Sequence, residues 1–302
     1  MTNVPYHIPA LLAESIEGLN IRPDGVYVDV TFGGGGHSRA ILSKLSKKGK
    51  LIAFDQDADA QQNSMNDARF TLVQHNFIYL TNFLDFLKIK QIDGLIADLG
   101  ISSHQIDIPE RGFSFRYDAP LDMRMNTSAK LTAASIINDY SAEDLKRILT
   151  MYGEVENAGS LAHFIVKARM RQRITTTGQM VDIMNEMYHG KVVNKMLARV
   201  FQAFRIEVNQ EMEVLKKLLI HTEQRMNKGG RLVVISYHSL EDRLVKNFIR
   251  SGNFEGTLVK DIYGNVSTQW DAVNKKPIVP VEDETDENNR ARSAKLRIAE
   301  KK

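Results

Sequence analysis

The sequence predicts an α/β fold, a doubly wound parallel sheet interrupted by an all-helical insertion. Three observations carry that prediction. Short apolar runs alternate with helical spacers through the first hundred residues, four consecutive glycines join the first run to the first helix, and the alternation stops near residue 112 and resumes near residue 200. Strand, glycine turn, helix and strand at this spacing read as βαβ units. Parallel strands buried on both faces show as continuous apolar runs, as these do.

The elements follow in order. Residues 26–32 (VYVDVTF) form the first strand, Gly33, Gly34, Gly35 and Gly36 the turn, and 37–47 a helix. Residues 51–55 (LIAFD), 70–73 (FTLV) and 94–99 (GLIADL) are the next strands. Residues 106–130 read as loop, with Pro109, Gly112 and Pro120, and 131–228 as helix throughout. Leu145, Ile148, Leu149 and Tyr152 mark one amphipathic face, and Leu161, Phe164, Ile165 and Ala168 another. The 38 residues between Gly190 and Gly229 hold neither glycine nor proline. Leu197, Phe201, Phe204, Val208, Leu215 and Leu218 recur there at helical spacing, predicting one long helix packed on a sheet and ended by Gly229-Gly230. Residues 231–237 (RLVVISY) resume the sheet, and the alternation in SAKLRIA (293–299) fits a final edge strand with a charged flank. The expected division is a core of 1–111 and 201–302 with a helical insertion domain, 112–200. No internal repeat is visible, and the sequence leaves the oligomeric state open.

Composition narrows the class. Of 302 residues, 43% are hydrophobic and 25% charged, which excludes a mainly disordered chain. With no cysteine there is no disulfide, thiolate metal site, thiol nucleophile or iron–sulfur cluster. No run of about 18 apolar residues is present to span a membrane, and no secretory signal pattern opens the chain. The expectation is a soluble, cytoplasmic protein with no membrane partner. The net charge of +3 says little, but its distribution says more. Lys167, Arg169, Arg171 and Arg173 crowd one short stretch without an acid, and six basic residues stand against Glu300 from Arg290 onward, just after five acids in 282–287. Such blocks fit contact with a polyanion, or simply a solvated face and tail.

The glycine turn opens a helix at the carboxyl end of the first strand, where doubly wound sheets bind ligands. Such a turn serves a dinucleotide, a phosphate or S-adenosylmethionine; Ser38 stands at the third glycine position of a GxGxxG, and no GxxxxGK[ST] is present, which disfavours a P-loop ATPase. Asp55 ends the second strand 19 residues after Gly36, placed to accept ribose hydroxyls of either an NAD or a methyl donor. Asp29, in the first strand, discriminates. A carboxylate beside the turn repels a pyrophosphate and attracts a sulfonium and its ammonium. Its other reading is a cap on the turn, bonding backbone N–H groups. Asp98 ends the fourth strand in ADLGISSHQ, so that Asp98, Ser102 and Ser103 either orient an acceptor or form an Asx or Ser turn.

These stretches, with HIPALL (7–12), IAFDQD, IDGLIADLGISS, ERGFSF, PLDMRM, FQAFRIEVNQE, SYHSLEDR and RARSAKLRIAE (290–300), resemble the RsmH (MraW) family, bacterial methyltransferases of small-subunit (16S) ribosomal RNA. The resemblance runs nearly end to end. It implies a class I, Rossmann-like, S-adenosylmethionine-dependent methyltransferase fold with a helical insert, and methylation of the exocyclic N4 of a cytosine in the decoding region, giving N4-methylcytidine. Donor-binding positions implied by the match are Gly35, Gly36 and His37 in the turn, Asp55, Phe77, Asp98 and Gln105. Val30 stands where the family often has glycine, Gly34 for arginine, His104 for proline and Tyr237 for phenylalanine.

The cytosine N4 lone pair is delocalised, so the amine needs positioning near attack distance and acceptors for its N–H. The D/N-P-P-Y/F strand end of many amino-methyltransferases is replaced here by DLGIS, without the aromatic. Asp98, Ser102 and Ser103 are therefore expected to orient the amine, and Tyr237 or His238 to stack on or contact the base. His238 also fits a satisfied core histidine. The 167–173 stretch is expected to meet RNA phosphates. His7, His37, His104 and His238 show no metal-ligand spacing, and no metal is expected. The expected partner is 16S rRNA within the small subunit or an assembly intermediate. Competing readings are an NAD-dependent oxidoreductase, a non-catalytic RNA-binding assembly factor, and a methyltransferase of DNA or protein.

Overall fold

A computed structural model describes residues 9–190, 192–260, 264 and 266–302. His7 and the start of the HIPALL stretch lie outside the described residues. The chain divides into two compact units, 1–100 with 212–302, and 101–211. The division falls before the boundary expected at 112 and after the one expected at 200.

The first unit is built on seven strands: β1 (Val26–Asp29), β2 (Lys50–Phe54), β3 (Phe70–Val73), β4 (Ile92–Asp98), β5 (Met226–Ser236), β6 (Trp270–Ala272) and β7 (Lys295–Lys301). Their order across the sheet is β3-β2-β1-β4-β5-β7-β6. The first five are parallel, with Val28 opposite Ile52 on one side and Leu95 on the other. β7 runs antiparallel to both β5 and β6. The order reverses between β1 and β4, which makes the carboxyl ends of those strands the crevice of the sheet.

Helices α1 (Leu12–Gly18), α2 (Gly36–Lys44) and α3 (Leu80–Phe86) belong to this unit. The second unit holds α4 (Ser103–Asp107), α5 (Ala133–Asp139), α6 (Ala142–Met151), α7 (Ala158–Arg171), α8 (Thr177–Met187) and α9 (Asn194–Asn209). The chain returns to the first through α10 (Glu211–Arg225), then α11 (Ser239–Ser251) and α12 (Glu282–Glu287). Strand side chains alternate between two cores, as a pleat requires. Val28, Ile52, Phe54, Leu95, Leu232 and Val234 pack with Leu84, Leu218 and Phe248 of α3, α10 and α11. Tyr27, Leu51, Ile96, Val233 and Ile235 pack with Ile16 and Ile41 of α1 and α2. Both faces are covered, which is why the strands read as unbroken apolar runs.

The second unit closes around its own cluster. The two helical faces expected from sequence supply Leu145, Ile148, Leu149, Leu161 and Ile165, all fully buried. The stretch that reads as loop contributes Phe113, Leu121, Met123 and Met125 to the same cluster.

Three expectations need correction. The predicted long helix is two helices. Gln210 between α9 and α10 adopts φ 51°, ψ 37°, and a left-handed residue ends a helix. Asn209 fastens the break: Met125 N donates to its Oδ1 at 2.8 Å, and its Nδ2 donates to Met123 O at 2.8 Å. Gly229-Gly230 does not end the helix, which stops at Arg225; the pair lies inside β5, where the pairing with β4 shifts register. The SAKLRIA segment is not an edge strand. β7 lies between β5 and β6, with Leu296 and Ala299 wholly buried and Arg297 bonded to Asp242 at 2.6 Å. Of the basic tail, Arg297 is thus internal structure.

Candidate active site

The carboxyl ends of β1, β2 and β4 bring three carboxylates and the glycine turn together. Only two of the four glycines use a backbone that side chains disfavour: Gly33 at φ 47° and Gly35 at φ 74°. Gly36 is needed for space, since a Cβ there would meet Pro9 Cγ at 2.1 Å. Gly34 does not adopt a positive φ; its carbonyl accepts from Arg39 Nη2 at 2.5 Å.

Asp29 is 1% exposed. Its Oδ1 accepts from Thr31 N at 3.1 Å and its Oδ2 from Ser38 Oγ at 2.6 Å. It therefore ties the end of β1 to α2, the turn-capping arrangement. Burial raises its pKa, and the bonds from Ser38 and Thr31 oppose the rise. Asp55 follows β2. Its Oδ2 accepts from Gly33 N at 2.8 Å and its Oδ1 from Asp57 N at 2.9 Å. Asn63 Nδ2 donates to the Gly33 carbonyl at 3.0 Å, so the turn is held from both sides. Burial, with smaller contributions from the charges of Asp57 and Asp29, pushes Asp55 up to about 6.

Asp98 closes β4. Its backbone N–H donates to Thr31 Oγ1 at 2.7 Å, and its Oδ1 accepts from Tyr237 Oη at 2.8 Å. Burial first, then the charges of Asp29 and Glu241, push it up to about 7, against the pull of the Tyr237 hydroxyl. His37, at the start of α2, places Nδ1 4.0 Å from Asp98 Oδ2. Burial lowers His37 to about 4, so it is neutral at pH 7. Its buried Nε2 meets no hydrogen-bond partner among the described residues. Phe77 is partly buried against the core that includes Phe54.

Tyr237 and His238 follow β5. Tyr237 N donates to Glu241 Oε2 at 3.0 Å. His238 is the N-cap of α11, its Nδ1 accepting from Glu241 N at 3.5 Å and its Nε2 lying 3.2 Å from Glu241 Oε1. The histidine thus shapes a helix start. Thr31 and Glu241 escaped the sequence reading, although both fix proposed site residues. A threonine inside a β-branched run carries no signal of its own, whereas Glu241, three residues after His238, has the spacing of a helix-start acid.

In the second unit Ser102 and Gln105 form a capping box on α4: Gln105 N donates to Ser102 Oγ and Ser102 N to Gln105 Oε1, both at 3.2 Å. Ser103 is the first residue of that helix. The Ser-turn reading of 102–103 is the arrangement seen. Of the basic stretch, Lys167 and Arg171 are exposed. Arg173 pairs with Asp139 at 3.3 Å, both exposed. Arg169 has a structural partner as well, its Nη1 donating to Ile137 O in the last turn of α5 at 2.7 Å.

The parallel sheet with an antiparallel strand between its last two strands, the glycine turn after β1 and the acids at three strand ends define a class I, S-adenosylmethionine-dependent methyltransferase. The chain belongs to the MraW methylase family, whose model matches residues 5–302. It is similar to the ribosomal RNA small subunit methyltransferase H of Bacteroides fragilis (strain YCH46), 56% identical over 98% of both chains. It is similar also to that of Christiangramia forsetii, 54% identical over 100% of this chain and 99% of the other. Among solved structures, a putative rRNA-methylase from Clostridium thermocellum is 12% identical, covers 98% of this chain and 100% of its own, and superposes with a TM-score of 0.46, too remote to add to the strand order.

Proposed function

We propose that the protein transfers a methyl group from S-adenosylmethionine to the exocyclic N4 of a cytosine in the decoding region of 16S ribosomal RNA, giving N4-methylcytidine. The observation that carries this is the cluster of Asp29, Asp55 and Asp98 around the glycine turn, on a chain whose relatives are named ribosomal RNA small subunit methyltransferase H. Three carboxylates at neighbouring strand ends repel the pyrophosphate of a dinucleotide and favour a cationic ligand. This disfavours the NAD-dependent alternative.

The residues present fit the donor. Each Asp55 oxygen accepts one backbone N–H, and a carboxylate offers about four acceptor positions. Two remain for vicinal ribose hydroxyls. Gly33 keeps the backbone open to close approach, with no atom nearer than Thr31 O at 4.0 Å to the place of a Cβ, and the Nε2 of His37, without a partner among the described residues, offers a further polar contact. Phe77 completes the donor set of this unit. S-adenosylmethionine supplies an electrophilic methyl on a sulfonium. The protein's share is to orient the acceptor, with ionised Asp98 accepting the amine N–H. Lys167 and Arg171 on α7, with Arg173 alongside, meet RNA phosphates, since an exposed ion pair such as Arg173–Asp139 exchanges at little cost. The reaction takes place in the cytoplasm, on the small subunit or an assembly intermediate.

The test is transfer of labelled methyl to unmodified small subunits and, in parallel, to naked 16S rRNA, followed by digestion to nucleosides. N4-methylcytidine is the expected product. Another methylated nucleoside, or none while the donor binds, would refute the assignment.

A further inference from the structure

We propose that Tyr237 is a positioning residue for Asp98: its hydroxyl occupies one carboxylate oxygen, leaves Oδ2 to the acceptor amine, and widens the pH range over which that oxygen is an ionised acceptor. The inference rests on the reading of Asp98 as the group that serves the amine.

The geometry is specific. Tyr237 Oη donates to Asp98 Oδ1 at 2.8 Å. Both partners are fixed from behind. Asp98 is held through its backbone N–H by Thr31 Oγ1 at 2.7 Å, and Tyr237 through its own by Glu241 Oε2 at 3.0 Å. The tyrosine ring packs against the core that includes Ile235 and Leu296. No hydrogen bond to Oδ2 is found among the described residues; His37 Nδ1 lies 4.0 Å from it, on a ring that is neutral at pH 7.

The direction of donation is settled by chemistry. Burial and the adjacent Asp98 charge hold the Tyr237 phenol well above its ordinary range, so it stays O–H and is neither a base nor an acceptor for the reaction. The groups facing Asp98 are Asp29 from β1, His37 from α2, Tyr237 after β5 and Glu241 from α11. Glu284 from α12 bears on Tyr237. The carboxylates and burial all favour the protonated form of Asp98; the Tyr237 hydroxyl favours the ionised one. Without it, Asp98 is more often a neutral acid near pH 7 and presents a donor where the amine needs an acceptor.

The experiment is Tyr237→Phe, assayed for turnover from pH 5.5 to 9, with the Asp98 carboxyl titrated by carbon-13 NMR in both proteins. The acid limb of kcat and the carboxyl titration are expected to move together to higher pH by about one to two units. The deficit relative to wild type is then largest on the acid side and closes as pH rises. An unmoved carboxyl titration, or a deficit equal at every pH, overturns the proposal. Should the variant fail to fold, 3-fluorotyrosine at position 237, a stronger donor, must shift both curves to lower pH. Wild-type protein that makes no N4-methylcytidine refutes the function proposed above, while the carboxyl titration still decides whether Tyr237 controls Asp98.

Discussion

Asp98 and Asp55 carry folded-state pKa values near 7 and near 6 against an ordinary 3.8. A carboxyl raised by folding keeps protons that the unfolded chain has already released, so its cost is absent below about pH 4 and grows as pH rises toward the folded value. Asp98→Asn is therefore expected to be more thermostable than wild type at pH 8, by about 1–3 kcal/mol, with little difference at pH 4, while losing methyl transfer. Thermal melts across pH check this; an advantage that does not grow with pH contradicts it. Ligand binding runs the other way. Donor affinity should weaken as pH falls through 7 and 6, because protonated Asp98 and Asp55 no longer attract a cation; calorimetry at pH 5.5 and 8 measures it. Thr31→Val leaves the buried Asp98 N–H without its acceptor, a loss of about 1–3 kcal/mol, and should lower turnover more than donor affinity. The three acids were legible because each closes or interrupts an apolar run. Thr31 was not, because a threonine that accepts a hydrogen bond looks the same in sequence as one that fills a strand.

Elements that the sequence reading placed well are those whose signal is local. Four of the strands are runs such as LIAF, and α6 and α7 show their buried faces at helical spacing. The break at Gln210 has no such signal, since glutamine is an ordinary helix former and its left-handed backbone is imposed by Asn209 and the 123–125 segment. Gln210→Gly should thus stabilise the protein by about 0.5–1 kcal/mol, and Gln210→Val should destabilise it by a similar amount or more. The position of β7 was equally hidden, because alternation is the same for an edge strand and an inner antiparallel one, and its outer neighbour β6 is three residues long. On α7 the basic residues separate into two roles. Lys167→Glu with Arg171→Glu should weaken RNA binding and flatten its salt dependence with the melting temperature unchanged. Arg169→Ala should instead lower stability by about 1–3 kcal/mol, since it uncaps the last turn of α5. If the double variant binds RNA as wild type does at every salt concentration, α7 does not meet phosphate.

At the scale of the whole molecule, the chain builds separate cores. The sheet of 1–100 and 212–302 is filled from both faces by its own helices, and 101–211 closes around one cluster that runs from Phe113 to Val208. The boundary expected at residue 112 followed proline and glycine signals, whereas the boundary in space follows packing, which draws Phe113, Leu121 and Met123 into the helical core. A segment of this size is within the range of about 50–250 residues in which domains fold alone. Two shortened proteins test the consequence. Residues 101–211 alone should give a helical circular dichroism spectrum and a cooperative melt. The chain with 101–211 replaced by a flexible linker should keep a cooperative sheet core and bind S-adenosylmethionine, but transfer nothing to RNA. Gln105 decides how far donor affinity falls. Its amide is engaged in the capping box with Ser102, so its removal should cost less than about tenfold in affinity, or 1.4 kcal/mol. A larger loss would show that the helical unit holds the donor as well as the RNA, and a core that no longer melts cooperatively would show that the two cores are stable only together.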